Sequence, residues 1–209
     1  MLRARIADLL EPFLAPATLS DAQLQKISTY IDILLKWNAR TNLTSIRDEE
    51  EIVTRHFGES FFAARHLLAD APPGLRVFDV GSGAGFPGLP LRLYTPQIAV
   101  TLIESHNKKA IFLREVIRAL SLREATVISA RAEQISETAD LVTLRAVEKF
   151  ETILPVAARL VSPNGCLALL VAARQLEAAQ RIVPGLWTCS DPVPYSTGRV
   201  VAIWQKKPK

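Results

Sequence analysis

A doubly wound α/β domain behind a helical N-terminal extension is the fold this sequence predicts, and three observations predict it. From residue 75 onward, short β-branched or aromatic runs alternate with helical segments, the pattern of a mostly parallel sheet wrapped by helices. Residues 165–172 form a near-continuous apolar run, as a strand buried on both faces requires. The chain then ends differently: residues 185–195 and 198–205, separated by Ser196-Thr197-Gly198, read as a terminal antiparallel strand pair.

The elements follow in order. Residues 1–70 are helical in pattern. Ser20 with Gln23 three positions on is a capping box, and behind it Leu24, Ile27, Ile31, Leu34 and Leu35 repeat at helical spacing. That helix should stop near residues 38–42, where Asn and Thr compete for their own backbone. Asp48 to Glu51 give the acidic first turn of a second helix, which runs over residues 52–69 with a break expected near Gly58. The pattern changes at Ala71-Pro72-Pro73-Gly74. Strands are expected at 75–80, 98–103, 125–129 and 140–144, and helices at 107–120 and 148–161. Residues 1–70 are thus an extension, and 71–209 one compact unit.

Composition narrows the class. The chain has 209 residues, 49% hydrophobic and 22% charged, which excludes disorder and low-complexity chains. Cys166 and Cys189 are too few for a disulfide scaffold and read as thiols in a reducing compartment. No apolar run nears the roughly 18 residues of a membrane span, and Asp8 and Glu11 interrupt any leader-like start, so a cytoplasmic protein is expected. No Cys or His cluster has metal-ligand spacing, so no metal is expected. The net charge of +4 is unevenly spread: residues 141–209 carry nine Lys and Arg against four Asp and Glu, while the rest is nearly balanced. The closing Lys206-Lys207-Pro208-Lys209 is either a solubilising tail or part of a surface facing a polyanion.

The most informative stretch is Asp79-Val-Gly81-Ser-Gly83-Ala-Gly85-Phe86-Pro-Gly88. Glycines here let the backbone turn sharply after a strand and let a ligand lie against main-chain N–H groups. Gly83, Gly85 and Gly88 satisfy a dinucleotide fingerprint, with Glu104 where a ribose-binding acid is expected. The register is wrong for a dinucleotide, however, because Gly81 already precedes the fingerprint. An acid inside the strand followed by Gly-x-Gly-x-Gly instead resembles motif I of the class I S-adenosylmethionine-dependent methyltransferases, a Rossmann-like fold. That resemblance implies a loop around the amino-acid half of the cofactor and Glu104 on the ribose hydroxyls.

The resemblance narrows further. Lys36-Trp-Asn38, Thr41-Asn-Leu-Thr44, Arg55-His56, the glycine loop, Glu104-Ser105, Lys108-Lys109, Phe112-Leu113, Arg131-Ala-Glu133 and Arg145-Ala146 are similar, in order and spacing, to the bacterial 16S ribosomal RNA guanine-N7 methyltransferases. The similarity spans about residues 20 to 175. It implies S-adenosyl-L-methionine as cofactor, S-adenosyl-L-homocysteine as product, and 16S rRNA or the 30S subunit as partner. It also implies that Gly81, Gly83, Gly85 and Phe86 line the cofactor site, that Ala132 and Glu133 meet the adenine, and that Arg145 closes the site as a positioning residue. RNA-side candidates are Asn42, Arg55, His56, Lys108, Lys109 and Arg199, each of which reads equally as a solvated or structural residue. The sequence departs from the family at Val147, where an aromatic is commoner, at Ala172-Ala173, where Lys-Gly is usual, and at Glu59, in place of Asp in a His-x-x-Asp-Ser pattern.

Guanine N7 carries an in-plane lone pair and needs no general base, and the sequence offers no obvious one. His56 reads either as a base or as a structural residue. Catalysis would rest on positioning and desolvation. Three classes stay open at this level: the rRNA methyltransferase; another enzyme on a similar fold, either a different methyltransferase or a nicotinamide-dependent dehydrogenase; and a non-catalytic RNA-binding module. A monomer is expected.

Overall fold

The computed structural model describes residues 1–147 and 149–206. The expected helix start at Glu148 and the tail residues Lys207, Pro208 and Lys209 lie outside the described residues. One seven-stranded sheet organises the chain: β1 (Arg76–Val80), β2 (Ala99–Ile103), β3 (Ala125–Ile128), β4 (Ala139–Arg145), β5 (Val161–Ala172), β6 (Trp187–Cys189) and β7 (Arg199–Gln205). Their order is β3-β2-β1-β4-β5-β7-β6. The first five are parallel, while β7 runs antiparallel to both β5 and β6. The chain winds outward from β1 to β3 and then returns to β1's other side as β4. That reversal opens a crevice at the carboxyl ends of β1 and β4, where open α/β sheets take their ligands.

Alternation along the strands decides which helices cover which face. Val77, Val100, Leu102, Leu141 and Ala168 share one core with the N-terminal helices. Phe78, Val80, Ile103, Val142, Leu144, Leu167 and Leu169 face the other way, toward α7 (Phe150–Arg159) and α8 (Leu176–Ile182). On the first face lie α1 (Arg3–Leu14), α2 (Asp21–Asn38), α3 (Glu49–Glu51), α4 (Glu59–Leu67), α5 (Gly88–Tyr94) and α6 (Asn107–Ala119). The helices of residues 1–70 and the sheet thus bury one continuous core together. The capping box on α2 forms, with Gln23 N donating to Ser20 Oγ (3.3 Å) and Ser20 N to Gln23 Oε1 (2.9 Å).

Several boundaries differ from expectation. No break occurs at Gly58: α3 passes through a π-helical stretch (Ile52–Gly58) directly into α4. Gly58 serves close packing instead, since a Cβ there would come within 2.7 Å of the Phe13 ring. α7 ends at Arg159 rather than at residue 161, because the buried, β-branched Val161 pairs with Ala139 and opens β5. The strand expected over 185–195 shrinks to Trp187–Cys189, as Pro192 and Pro194 lack the N–H groups a ladder needs. α5 and α8 are short helices that no sequence expectation named. Cys166 and Cys189 are free, and burial pushes the Cys166 thiol up to about 11.

Candidate functional site

The glycine loop leaves β1 at the crevice and is held from three sides. Gly81 N and Ser82 N donate to Ile103 O of β2 (2.9 and 3.2 Å). Gly83 N donates to Glu104 Oε2 (2.8 Å), while the other Glu104 oxygen accepts from His106 N (2.7 Å). From the helical side, the buried Tyr30 hydroxyl of α2 donates to Ala84 O (2.5 Å). Asp79, inside β1, lies behind the loop, its carboxylate accepting from Thr143 Oγ1 (2.8 Å) and Gly88 N (3.3 Å). Burial pushes Asp79 up to about 6 against the pull of those hydrogen bonds.

The four glycines have different duties. Gly83 has φ +55°, and a Cβ there would meet only Gly81 O at 3.8 Å, so a side chain would project into open space. Gly81, at φ +68°, would bring its Cβ to 2.8 Å from Val147. Both line a cleft of about 640 Å³. Gly85 does not. Its Cβ would run into Tyr30, Leu89 and Leu113, so it faces the core, and Gly88 likewise lies against Leu102 and Asp79. The family resemblance groups Gly81, Gly83 and Gly85 as cofactor-lining, but of these only Gly81 and Gly83 line the cleft.

Phe86 also lines the cleft, held there by ring stacking. It is 6% exposed and stacks on both Tyr30 (5.3 Å, 7° between planes) and His56 (4.6 Å, 17°). His56 is bonded at both nitrogens. Arg145 Nη1 lies 3.1 Å from Nδ1, and because a guanidinium only donates, Nδ1 accepts. The neutral ring therefore carries its proton on Nε2, which donates to Thr44 Oγ1 (2.9 Å). Burial, followed by the charges of Arg145, Arg55 and Arg199, pushes His56 down from 6.5 to about 3. Such an imidazole is not a general base.

Arg145, at the carboxyl end of β4, points to the face covered by the N-terminal helices, where its Nη2 donates to Arg55 O (2.6 Å) and Glu59 Oε2 (2.8 Å). Arg199, at the start of β7, donates from Nη1 to both oxygens of Glu59 (3.1 and 2.8 Å). Arg55 lines the cleft while pairing with Glu51 (2.9 Å). Lys109 also lines it; Lys108 is exposed outside it. Asn42 is exposed and takes no part in the cleft wall. The loop after α2 is organised instead by the buried Asn38, whose side chain accepts from Leu43 N and Thr44 N (2.9 and 3.1 Å) and donates to Thr44 O (2.9 Å). In the sequence, Asn38 is legible only as a helix stop.

Past Gly81 and Ser105 the cleft continues into a cavity of about 280 Å³ lined by Ala132, Glu133, Arg131 and Lys149. Arg159 fastens the Ala132–Gln134 turn, donating to Ile135 O (2.9 Å) and to Ala132 O and Glu133 O (3.3 Å each). On the other side a recess of about 210 Å³ shares Arg145, Ala146, Val147 and Arg199 with the cleft. Val147 and Ala172, both departures from the family pattern, line this recess.

The residues fit S-adenosylmethionine. A cradle that a Cβ at Gly83 would fill faces Glu104, whose two used lone pairs leave two for hydroxyl donors. The cleft volume falls in the ordinary range for small-ligand sites, roughly 300–1,000 Å³.

Residues 23–184 match the family profile described as GidB, rRNA small subunit methyltransferase G. A ribosomal RNA small subunit methyltransferase G from Roseiflexus castenholzii is 44% identical over 160 residues, covering 70% of this chain and 67% of that one. One from Stenotrophomonas maltophilia (strain K279a) is 36% identical over 197 residues, covering 93% and 90%. Solved structures share the fold at low identity. A predicted O-methyltransferase from Agrobacterium tumefaciens superposes with a TM-score of 0.59 at 18% identity (68% of this chain, 78% of that one). TYW2 from M. jannaschii, solved in complex with AdoMet, gives 0.51 at 18% (70% and 74%).

Proposed function

The chain belongs to the rRNA small subunit methyltransferase G family, and from that premise we propose that it methylates N7 of one guanine in the decoding region of 16S rRNA. When bound, S-adenosylmethionine supplies an electrophilic methyl group on a sulfonium. Gly81 and Gly83 give it room, Glu104 takes its ribose hydroxyls, and Ala132 and Glu133 border the cavity proposed for its adenine.

One observation supports the N7 chemistry above others: the histidine stacked at the centre of the site has no lone pair to spare. A nucleophile that loses a proton needs a base beside it, whereas N7 attacks with a lone pair it already has. Glu104 is engaged by two backbone amides, and Asp79 is sealed behind the loop. What the chain contributes is therefore placement and water exclusion. N7 faces the deep, narrow major groove of A-form RNA, so the target guanine is unpaired or splayed out. Arg199, Arg55 and Lys109 at the cleft wall are the proposed phosphate contacts.

We place the protein in the cytoplasm as a monomer acting on rRNA or on the 30S subunit. No helix among the described residues is long and apolar enough to cross a membrane. The test is transfer of labelled methyl from S-adenosylmethionine to naked 16S rRNA and to 30S subunits lacking the modification, followed by mapping of the base. N7-methylguanine in either substrate is expected; its absence from both would end this reading.

A further inference from the structure

We propose that Glu59 is a positioning residue for methyl transfer, a single buried carboxylate that commits Arg145 to the loop over the cleft and leaves Arg199 free for an RNA phosphodiester. This rests on the RNA methyltransferase reading above. Glu59 is 6% exposed and accepts from both arginines. A carboxylate so far from water persists only where charge and hydrogen bonds compensate it, and here two guanidinium groups do so.

The two arginines are used differently. Arg145 is inward: Nη1 meets His56, Nη2 meets Arg55 O and Glu59, and its buried Nε has no partner among the described residues. It has almost no surface to offer a ligand, with a side chain 7% exposed. Through His56 it reaches Thr44 Oγ1, which also accepts from Ile46 N (3.2 Å), so Arg145 fixes the loop lining the cleft. Arg199 is outward. Its side chain is 36% exposed, it spends only Nη1 on Glu59, and among the described residues Nη2 and Nε make no hydrogen bond within the protein. It stands where the cleft meets the adjoining recess. Two arginines against one carboxylate leave one positive charge, and the accessible donors place it on Arg199. That matches a phosphodiester in charge and in forked geometry.

The carboxylate thus performs two tasks, and removing only its charge separates them from mere packing. Glu59→Gln keeps the shape and frees both arginines from their counter-charge; Glu59→Asp keeps the charge on a shorter stem. The full-length protein is assayed for kcat, KM for RNA, melting temperature and the salt dependence of RNA binding. Glu59→Gln is expected to lower kcat at least tenfold. Its slope of log K against log salt should steepen, by at most about 0.7, because the cluster gains one net positive charge beside Arg199 while Arg145 stays inward. Glu59→Asp should keep the parental slope and recover at least fivefold of the lost kcat. A Glu59→Gln variant with kcat within twofold of the parent and an unchanged slope would overturn the assignment. So would losses in both variants that follow melting temperature with no change of slope. If Glu59→Gln does not fold, the slope and kcat of Glu59→Asp decide, and an altered slope there counts against the assignment. A parent protein that methylates no RNA would instead refute the function, leaving the two failures distinct.

Discussion

Replacing His56 with Gln should make the protein less stable at neutral pH and more stable in mild acid. The folded His56 is held neutral, with its proton affinity lowered from 6.5 to about 3, chiefly by burial and next by Arg145. In the unfolded chain the ring protonates at its ordinary value. Below pH 6.5 the unfolded state therefore binds the extra proton, and stability falls as pH falls, by about 1.4 kcal/mol per pH unit until about pH 3. Gln can accept from Arg145 or donate to Thr44 but does not titrate. At pH 7.5 the lost stacking on Phe86 and an imperfect hydrogen bond should cost about 2 kcal/mol. That deficit is cancelled after about 1.5 pH units of linkage, so the two stability curves should cross near pH 5. Urea unfolding of parent and variant at pH 4.5, 5.5, 6.5 and 7.5 measures the difference directly, and other groups cancel in it. A difference constant across that range would show that His56 titrates alike in both states, and the bonded, neutral imidazole would be wrong.

Asp79 acts in the opposite sense. Its affinity is raised from 3.8 to about 6, so the folded state holds the proton more tightly and stability falls as pH rises between those values, by up to about 3 kcal/mol. Asp79→Asn should remove that fall, seen as a gain of about 1.4 kcal/mol per pH unit over the parent in the same unfolding series. Gly83→Val should reduce S-adenosylhomocysteine affinity in calorimetry at least 100-fold, while its positive φ lowers stability by only about 1–2 kcal/mol. Gly85→Ala should do the reverse in kind, costing about 3 kcal/mol or more of stability because its methyl group meets Tyr30, Leu89 and Leu113, a loss visible in the melting temperature. Asn38→Ala should destabilise by about 2–3 kcal/mol and raise KM for the cofactor, since Leu43 N and Thr44 N lose their acceptor.

The parts of the site set by neighbours in the chain are legible in the sequence. The acid inside β1, the glycines after it and Glu104 follow one strand-turn register, and the strand alternation predicts the sheet. Distances along the chain hide the rest. Glu59 meets Arg145 across 86 residues and Arg199 across 140, and no local pattern marks a carboxylate for that role. Which glycine faces the cleft depends on Tyr30 and Leu113, supplied by α2 and α6. Lys108 and Lys109 look equivalent in a row, yet helical phase puts only Lys109 at the cleft. The strand expected over 185–195 fails for a local reason, its two prolines, which an alternation pattern does not weigh.

The π-helical stretch Ile52–Gly58 has a consequence for chain length. A π turn holds about one more residue than an α turn, so its backbone carbonyls are spaced differently around the axis. Arg55 O accepts from the Arg145 side chain, and four residues on, Glu59 begins the regular α-helix. Deleting one residue between Ile52 and Gly58 would let the segment relax to ordinary α geometry. Because the wider turn had absorbed that residue, the flanking turns would keep nearly the same phase, and Glu59 N would take Arg55 O, four residues back, in place of Thr54 O and His56 O. Arg145 would then share the Arg55 carbonyl with the helix ladder, and the shorter protein would carry the better helix and a looser hold on Arg145.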